Sequence, residues 1–401
     1  MGNQTTILFA GGGTGGHLYP GISVALAMRK IWPEACPVFL CTQREIDRVI
    51  LEPTGFQFIP QPIVPPVKTI VGLLKFFKGW RETKDLVRQL VRGSGAPGGS
   101  GTPARHSSKP AAILGLGGYA AGVAVKYCAE HGIPAAIVNP DVIPGKANQY
   151  LMRHASAVCC QFDQTREHVN PEHRDKLKTT GCPIRPEILS APPRAEALRR
   201  LELHPNLQTL VVTGASQGAQ TVNEAILAVL SDLKIQGWQI LHLAGREHAA
   251  AVREAYRNMA GATPLPTRVI DFTPEMADVW AVADLVVARS GASTCAELTA
   301  CGIPSILMPY PFHKDLHQRA NAKVLADAGA AILIDDEQDA KKNAPKLRPA
   351  LEPLLYDATR RRTMAESAKR LGRPDAAAHV AQIVKNLTSN STAERPGGNL
   401  S

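Results

Sequence analysis

Short apolar runs alternate along this chain with longer amphipathic ones, and the whole alternation occurs twice. In the first half TILFA, PVFLC, AAILGLGG, AAIVN and AVCCQF read as strands, separated by helix-like segments. Strands that are apolar throughout, with helices between them, predict βαβ units around a buried parallel sheet. Near Gly181 the pattern stops, and GCPIRPEILSAPPRAEALRRLELHPN is rich in proline and charge. It then resumes as TLVVTGASQGAQTVNEAILAVL, QILHLAG, TRVIDF, DLVVARSGAST, PSILMPY and AAILID. Each half opens with a strand, a glycine loop and a helix. The expected fold is α/β, with two Rossmann-like doubly wound domains facing across a cleft, over residues 1–185 and 207–372. Residues 186–206 read as the connection between them and 373–387, containing PDAAAHVAQIVKNL, as a closing helix. RGSGAPGGSGTPARHSSKP, residues 92–110, is a low-complexity surface insertion, and the tail 388–401 is expected to lack order.

Composition agrees with a soluble two-domain protein. The 401 residues exceed what one hydrophobic core usually serves, and 44% are hydrophobic against 20% charged. A formal net charge of +10 favours acidic partners, namely nucleotides, nucleic acid or an anionic membrane face, and charge alone does not choose among them. The eight cysteines include no CxxC pair, and Cys159 and Cys160 fall inside an apolar run, which fits a reducing compartment. No apolar stretch reaches the roughly 18 residues of a membrane-spanning helix. The start of the chain lacks the basic-then-apolar build of a secretory signal. MGNQTT fits the myristoylation pattern, a match so short that chance explains it better.

The glycine loops carry the candidate chemistry. In FAGGGTGGHLYPG, Gly11, Gly13 and Gly16 satisfy G-x-G-x-x-G, which raises a dinucleotide fold. The ribose-binding acid expected about 20 residues on is missing, since Thr42 and Gln43 follow VFLC. His17 stands where a phosphate-binding loop would place lysine, so that motif is excluded too. A tight turn capped at Thr14 would explain the glycines but not His17, an imidazole sited at a helix N-terminus to act as a general base. GASQGA, with Ser216 at its turn, repeats the construction and suits a diphosphate. A third small-residue turn spans Ser290 to Thr294, with Glu297 one helical turn further on. That carboxylate can accept from both hydroxyls of a ribose, or simply complement the helix dipole.

Six ordered segments, GGGTGGHLYPG, GLGGYAAG, GCPIR, GASQGAQTVN, RSGASTCAELTACGIPSILMPYP and HKDLHQRANA, resemble the MurG family. These are UDP-N-acetylglucosamine:undecaprenyl-pyrophosphoryl-muramyl-pentapeptide N-acetylglucosaminyltransferases, and the resemblance spans nearly the whole chain. It implies a GT-B fold, with inverting transfer of GlcNAc from UDP-GlcNAc to the muramyl 4-hydroxyl of lipid I. The product would be lipid II of bacterial peptidoglycan, made by a peripheral enzyme at the cytoplasmic face of the inner membrane. The resemblance implies His17 as the catalytic base and Thr14, Gly15 and Gly16 near the sugar and diphosphate. Arg185, Ser216 and Gln318 would belong to the donor site, Thr273 to a backbone contact with uracil, and Ala292, Ser293, Thr294, Cys295, Ala296 and Glu297 to the nucleotide. Tyr119 matches an aromatic near the acceptor cleft, with simple packing as its alternative.

The chain departs from the family pattern at VNPDVIPGKAN, where the family shows His-Glu-Gln-Asn. Asp141 falls at the family's donor-binding Asn and Asn139 at its Glu; an acceptor-only carboxylate cannot repeat the contacts of an amide. His317 replaces the first of two glutamines. Its i,i+4 pairing with His313 lacks a third ligand, so no metal and no cofactor are expected. PVKTIVGLLKFFKGWRETK puts Ile70, Leu73, Leu74, Phe77 and Trp80 on one helical stripe beside Lys75, Lys78, Arg81 and Lys84. Such a stripe usually faces a core, but with a lipid-borne acceptor it reads as a contact with an anionic membrane, through Leu73, Phe77 and Trp80. The expected partners are therefore UDP-GlcNAc, lipid I and a membrane surface, not nucleic acid. A diacylglycerol-type glycosyltransferase, an NAD-dependent oxidoreductase and a non-catalytic UDP-sugar-binding protein remain open as rivals.

Overall fold

The computed structural model describes residues 4–93, 109–214, 218–231, 233, 235–259, 265–312 and 316–393. It divides into two compact units, Met1–Arg185 with Asp375–Ser401, and Pro186–Pro374.

In the first unit, strands β1 (Thr5–Ala10), β2 (Ala35–Thr42), β3 (Gln57–Gln61), β4 (Ala112–Gly115), β5 (Ala135–Asn139), β6 (Ala157–Cys160) and β7 (Leu177–Thr179) form one parallel sheet. Their order is β3-β2-β1-β4-β5-β6-β7. Helices α1 (Gly15–Ile31), α2 (Glu45–Leu51), α3 (Ile70–Val91), α4 (Gly118–Glu130) and α5 (Lys146–Met152) accompany it. Both faces are covered, as the unbroken apolar strands require: Ile7 and Phe9 of β1 join a core with Leu18 and Met28 of α1. Leu8 and Ala10 point the other way, to Val87 of α3 and Val125 of α4.

The second unit opens with helices α6 (Pro186–Leu189) and α7 (Arg194–Arg200). Its strands β8 (Gln208–Thr213), β9 (Trp238–Leu243), β10 (Thr267–Ile270), β11 (Leu285–Ala288), β12 (Ser305–Leu307) and β13 (Ala331–Leu333) lie in the order β10-β9-β8-β11-β12-β13, again all parallel. Helices α8 (Gln220–Leu230), α9 (Ala249–Met259), α10 (Met276–Val282), α11 (Ala292–Cys301), α12 (His317–Asp327), α13 (Ala340–Tyr356) and α14 (Ala358–Leu371) follow. In each sheet the strand order reverses at one place, between β1 and β4 and between β8 and β11. The crevice outside the carboxyl ends of such a strand pair is where doubly wound sheets receive ligands, and each glycine-bearing turn begins there.

Several elements differ from expectation. Strands β3 and β7 carry no clear strand signal, and both are edge strands; Pro60, which has no N–H to donate, is tolerated in β3 because an edge needs no second partner. Residues 186–206 hold α6 and α7 and are bound into the second unit. Arg194 donates to the Val282 carbonyl (2.7 Å) and Asp284 (2.6 Å), and Arg200 to Asp278 (3.2 Å). Two of the prolines there start helices, Pro193 as an N-cap and Pro186 as the first residue of α6. The last helix, α15 (Ala376–Ala393), belongs to the first unit, where Val380, Ala381 and Val384 enter the core beside α1. It runs past Leu387, where a disordered tail was expected to begin; residues 394–401, like 94–108 of the insertion, lie outside the described residues.

Candidate active site

The turn after β1 is held by a buried acid. Asp47, on α2 and fully buried, accepts from the Gly13 N–H through both oxygens (2.8 and 2.9 Å), from the Thr42 N–H (2.8 Å) and from the Thr42 hydroxyl (2.7 Å). Arg44 donates to the Gly13 carbonyl from the other side (2.6 Å). The loop therefore arrives at α1 in one conformation. Its N-cap, Thr14, makes no side-chain capping bond and the first turn contains no acid, so the positive end of the dipole is uncompensated.

His17 sits half-buried in that first turn, and its protonation pattern follows from its neighbours. Nδ1 lies 3.2 Å from the Gly12 carbonyl oxygen and 3.3 Å from the Thr14 hydroxyl. A carbonyl can only accept, so Nδ1 carries the proton and the lone pair is on Nε2. The ring rests on Gly117 and Gly118, the turn between β4 and α4. A Cβ at Gly118 would lie 2.9 Å from His17 Cε1, and φ of +70° is itself unfavourable for any other residue. Tyr119 follows: its hydroxyl lies 3.6 Å and the Arg44 Nη1 atom 3.8 Å from where a Cβ on Gly13 would stand. Burial pushes its phenol up from the usual value, with Arg44 opposing and Asp47 adding. Beyond Gly117 stands Asn148 of α5, which donates to the Val138 carbonyl and to Asn139 Oδ1 (both 3.0 Å). Its own Oδ1 is buried without a partner among the described residues and lies 3.5 Å from the same point beside Gly117 that is 3.6 Å from His17 Nε2.

Asp141 and Arg185 complete the first unit's predicted set. Asn139 donates to the Asp141 carbonyl (2.7 Å), and the Thr165 hydroxyl reaches the same oxygen (3.4 Å), so the turn after β5 is fixed through its backbone. The Arg185 guanidinium stacks 5.0 Å over the ring of Tyr19 on α1.

In the second unit, the turn after β11 starts α11 at Gly291, which has no side chain with which to cap it. Ala292, Ser293 and Thr294 are half-buried in the first turn, and Cys295, Ala296 and Glu297 are buried behind them. Glu297, 9% exposed, accepts through Oε2 from the indole N–H of Trp280 on α10 at 2.8 Å. Thr273, three residues ahead of α10, accepts through its hydroxyl from the Glu275 N–H (3.1 Å) in a tight turn. Gln318 is oriented at both ends: its backbone carbonyl accepts from Ser290 (2.8 Å) and its side-chain Oε1 from the Tyr310 N–H (3.0 Å). Beneath them Arg289, 6% exposed, donates to the Met308 and Pro309 carbonyls (2.9 and 3.0 Å), to Asp336 (2.7 Å) and to Thr221 (2.8 Å). Burial alone would raise the Asp336 carboxyl, but bonds from Thr221, Asn343, Arg289 and the Gln338 backbone together hold it below the usual range. The turn after β8 is shaped by Gly218, where a Cβ would meet the Ala244 carbonyl oxygen at 2.3 Å. That oxygen also accepts from Asn223 (3.0 Å), whose Oδ1 takes the N–H of the buried His242 (3.0 Å). Ser216, in the same loop, and His313 lie outside the described residues. A cavity of about 430 Å³ between α9 and β10 lies at the amino ends of the strands, away from all these turns.

Two family models match in tandem, the glycosyltransferase family 28 N-terminal domain over residues 7–94 and the C-terminal domain over 209–380. A curated relative from Halothermothrix orenii, a UDP-N-acetylglucosamine--N-acetylmuramyl-(pentapeptide) pyrophosphoryl-undecaprenol N-acetylglucosamine transferase, is 32% identical over 96% of this chain and all of its own length. The chain belongs to the MurG family. The Bacillus subtilis member is 28% identical over 95% of this chain and 99% of its own. Among solved structures, MurG from Acinetobacter baumannii superposes with a TM-score of 0.71 at 23% identity, covering 95% of this chain and 99% of that one. A UDP-GlcNAc 2-epimerase from Neisseria meningitidis does so at 0.66 and 12%, covering 95% and 100%. The two parallel sheets with their flanking helices are the GT-B class expected from the family resemblance. As glycosyltransferases, members of the family are UDP-GlcNAc-dependent enzymes, and an oxidoreductase reading is set aside.

Within each unit the fold brings many of the predicted residues to one end of a sheet. Thr14, Gly15, Gly16, His17 and Tyr119 gather at the β1–β4 reversal; Ala292 to Glu297 and Gln318 gather beside β11. Trp80 is a correction. Its ring packs on Gly122, 3.5 Å from where a Cβ there would lie, and on Phe76, so it turns inward and leaves Phe77 as the outward aromatic. Asp47, Asn148, Arg289 and Trp280 were not singled out from sequence. For Asp47 a signal existed: Ile50 and Leu51, three and four residues on, mark its side of α2 as the buried one.

Proposed function

We propose that this chain transfers N-acetylglucosamine from UDP-N-acetylglucosamine to the muramyl 4-hydroxyl of lipid I, undecaprenyl-pyrophosphoryl-MurNAc-pentapeptide, giving lipid II for peptidoglycan synthesis. The observation that carries this reading is the end-to-end relationship with a transferase named for that reaction, at 32% identity. His17 supplies the chemistry. With Nδ1–H committed to the Gly12 carbonyl, Nε2 takes the proton of the acceptor hydroxyl as its oxygen attacks the anomeric carbon. The bond from that carbon to the UDP oxygen breaks on the opposite face, so the configuration inverts. The negative charge moving onto the diphosphate is met by main-chain N–H groups at uncapped helix N-termini.

The donor-binding residues are Thr14, Gly15, Gly16, Asp141 and Arg185 in the first unit and Ser216, Thr273, Ala292 to Glu297 and Gln318 in the second. Glu297 takes the ribose and Gln318 the GlcNAc hydroxyls, while Tyr119 lines the acceptor side. Asp141 contacts the sugar as an acceptor only, unlike the amide usual in the family. The chain works as a peripheral protein at the cytoplasmic face of the inner membrane. Val67, Ile70, Val71, Leu73, Leu74 and Phe77 form an exposed apolar cluster at the start of α3, with Lys68, Lys75 and Lys78 beside it. That pairing of apolar and cationic side chains suits an anionic lipid surface.

The test is to supply purified protein with labelled UDP-GlcNAc and a lipid I analogue, with diacylglycerol in a parallel reaction. One GlcNAc added to the lipid I analogue, with UDP released and no transfer to diacylglycerol, is the expected result. Binding of UDP-GlcNAc without transfer, or transfer to diacylglycerol alone, overturns the reading.

A further inference from the structure

We propose that Trp280 is a positioning residue for the donor nucleotide and acts through Glu297; the inference rests on Glu297 being the group that takes the ribose. Trp280 is 4% exposed, and its indole N–H meets Glu297 Oε2 at 2.8 Å. An indole offers one donor and no acceptor, so it can stabilise only a carboxylate oxygen turned toward it. Because Glu297 is itself nearly buried, losing that donor would take a charge-assisted hydrogen bond away from a desolvated carboxylate.

The donor is held in place from behind. Asp278, on the same helix and 6% exposed, is bound by Arg200 of α7. Arg194 binds the Val282 carbonyl at the end of α10 and Asp284 just before β11 (2.7 and 2.6 Å), and Asp284 also accepts from the Thr209 N–H of β8 at 2.7 Å. Helix α10 is thus anchored near its start to α7 and at its end, through Arg194 and Asp284, to the β8–β11 pair at whose carboxyl ends the nucleotide turns lie. The carboxylate of Glu297 is aimed before any ribose arrives, which removes an ordering cost from binding. Since the loop carrying Thr273 leads directly into α10, one short helix serves both the base and the sugar of the nucleoside.

Calorimetry with UDP and 2′,3′-dideoxy-UDP on wild-type protein, Trp280→Phe and Glu297→Gln tests this. Wild type should prefer UDP; Trp280→Phe should lose about ten-fold in UDP affinity, the size of one buried charge-assisted hydrogen bond, with little change for the dideoxy nucleotide. In turnover, KM for UDP-GlcNAc should rise with kcat within about two-fold of wild type. Equal weakening of both nucleotides, or an intact ribose preference in Trp280→Phe, overturns the proposal. If Glu297→Gln loses the preference while Trp280→Phe keeps it, only the role of Trp280 falls. If wild type itself does not discriminate, the ribose role of Glu297 falls and this inference with it. Should Trp280→Phe fold poorly, benzothienylalanine at 280 replaces the N–H by sulfur at nearly constant volume and makes the same comparison.

Discussion

A carbonyl oxygen at Gly12 decides which nitrogen of His17 is basic, and a glycine at 118 leaves room for the ring. His17→Ala should therefore lower kcat by about 10²–10⁴-fold, the usual worth of a positioned general base, with UDP affinity by calorimetry unchanged. Activity near wild type would remove the base assignment. A second histidine does different work. Burial pushes the His242 imidazole down from 6.5 to about 3, and the ring stays neutral between Asn223 Oδ1 and the Tyr256 hydroxyl. The unfolded chain takes up the proton that the folded one refuses. The stabilisation is therefore whole above the unfolded value and is lost as pH falls from 6.5 toward 3, at up to about 1.4 kcal/mol per pH unit. Urea midpoints measured between pH 7 and 4.5 should fall less steeply for His242→Gln than for wild type; parallel slopes would refute this. The glycines and His17 were legible as a candidate site because their residue types are unusual in sequence. Asp47 was not, because a single acid in a short helix looks like any solvated one until its four hydrogen bonds are seen.

At the level of elements, α3 shows why periodicity alone is ambiguous. A helical stripe of large apolar residues fits a core or a lipid surface equally well. The fold divides the stripe. Phe76 and Trp80 close on Ile63, Ala120 and Val123, while Ile70 (81% exposed), Leu74 and Phe77 (65% each) face outward. Leu74→Glu combined with Phe77→Glu should weaken sedimentation with anionic phospholipid vesicles at least ten-fold, about 1.4 kcal/mol, while transfer to a detergent-soluble acceptor is unchanged. Unaltered vesicle binding would exclude this face. The segment 186–206 teaches the opposite lesson: proline and charge, the usual marks of a linker, here start two helices and tie them by Arg194 to Asp284 and by Arg200 to the buried Asp278 of the second unit.

For the whole molecule, the path of the chain matters more than its order. Helix α15 follows the second unit in sequence and completes the first, with Val380, Ala381 and Val384 all at 0% exposure and Lys385 donating to the Ile31 carbonyl at 3.1 Å. Each buried valine is worth about 1.5–3 kcal/mol. Truncation before Asp375 should thus lower the melting temperature of the first unit and leave that of the second unchanged, as read by calorimetry or by hydrogen exchange of β1 against β8. Equal loss of protection in β1 and β8 would overturn this.

Sequence by itself determined the strand–helix alternation in both halves, because apolar periodicity is a local property of the chain. It also located the glycine turns and the family to which their spacing belongs. Only the tertiary structure decided which face of α3 is exposed, where α15 docks, and that Asp47, Asn148 and Trp280 stand behind the predicted groups. Those facts depend on contacts between residues tens to hundreds of positions apart, and no pattern within one segment encodes the partner waiting in another.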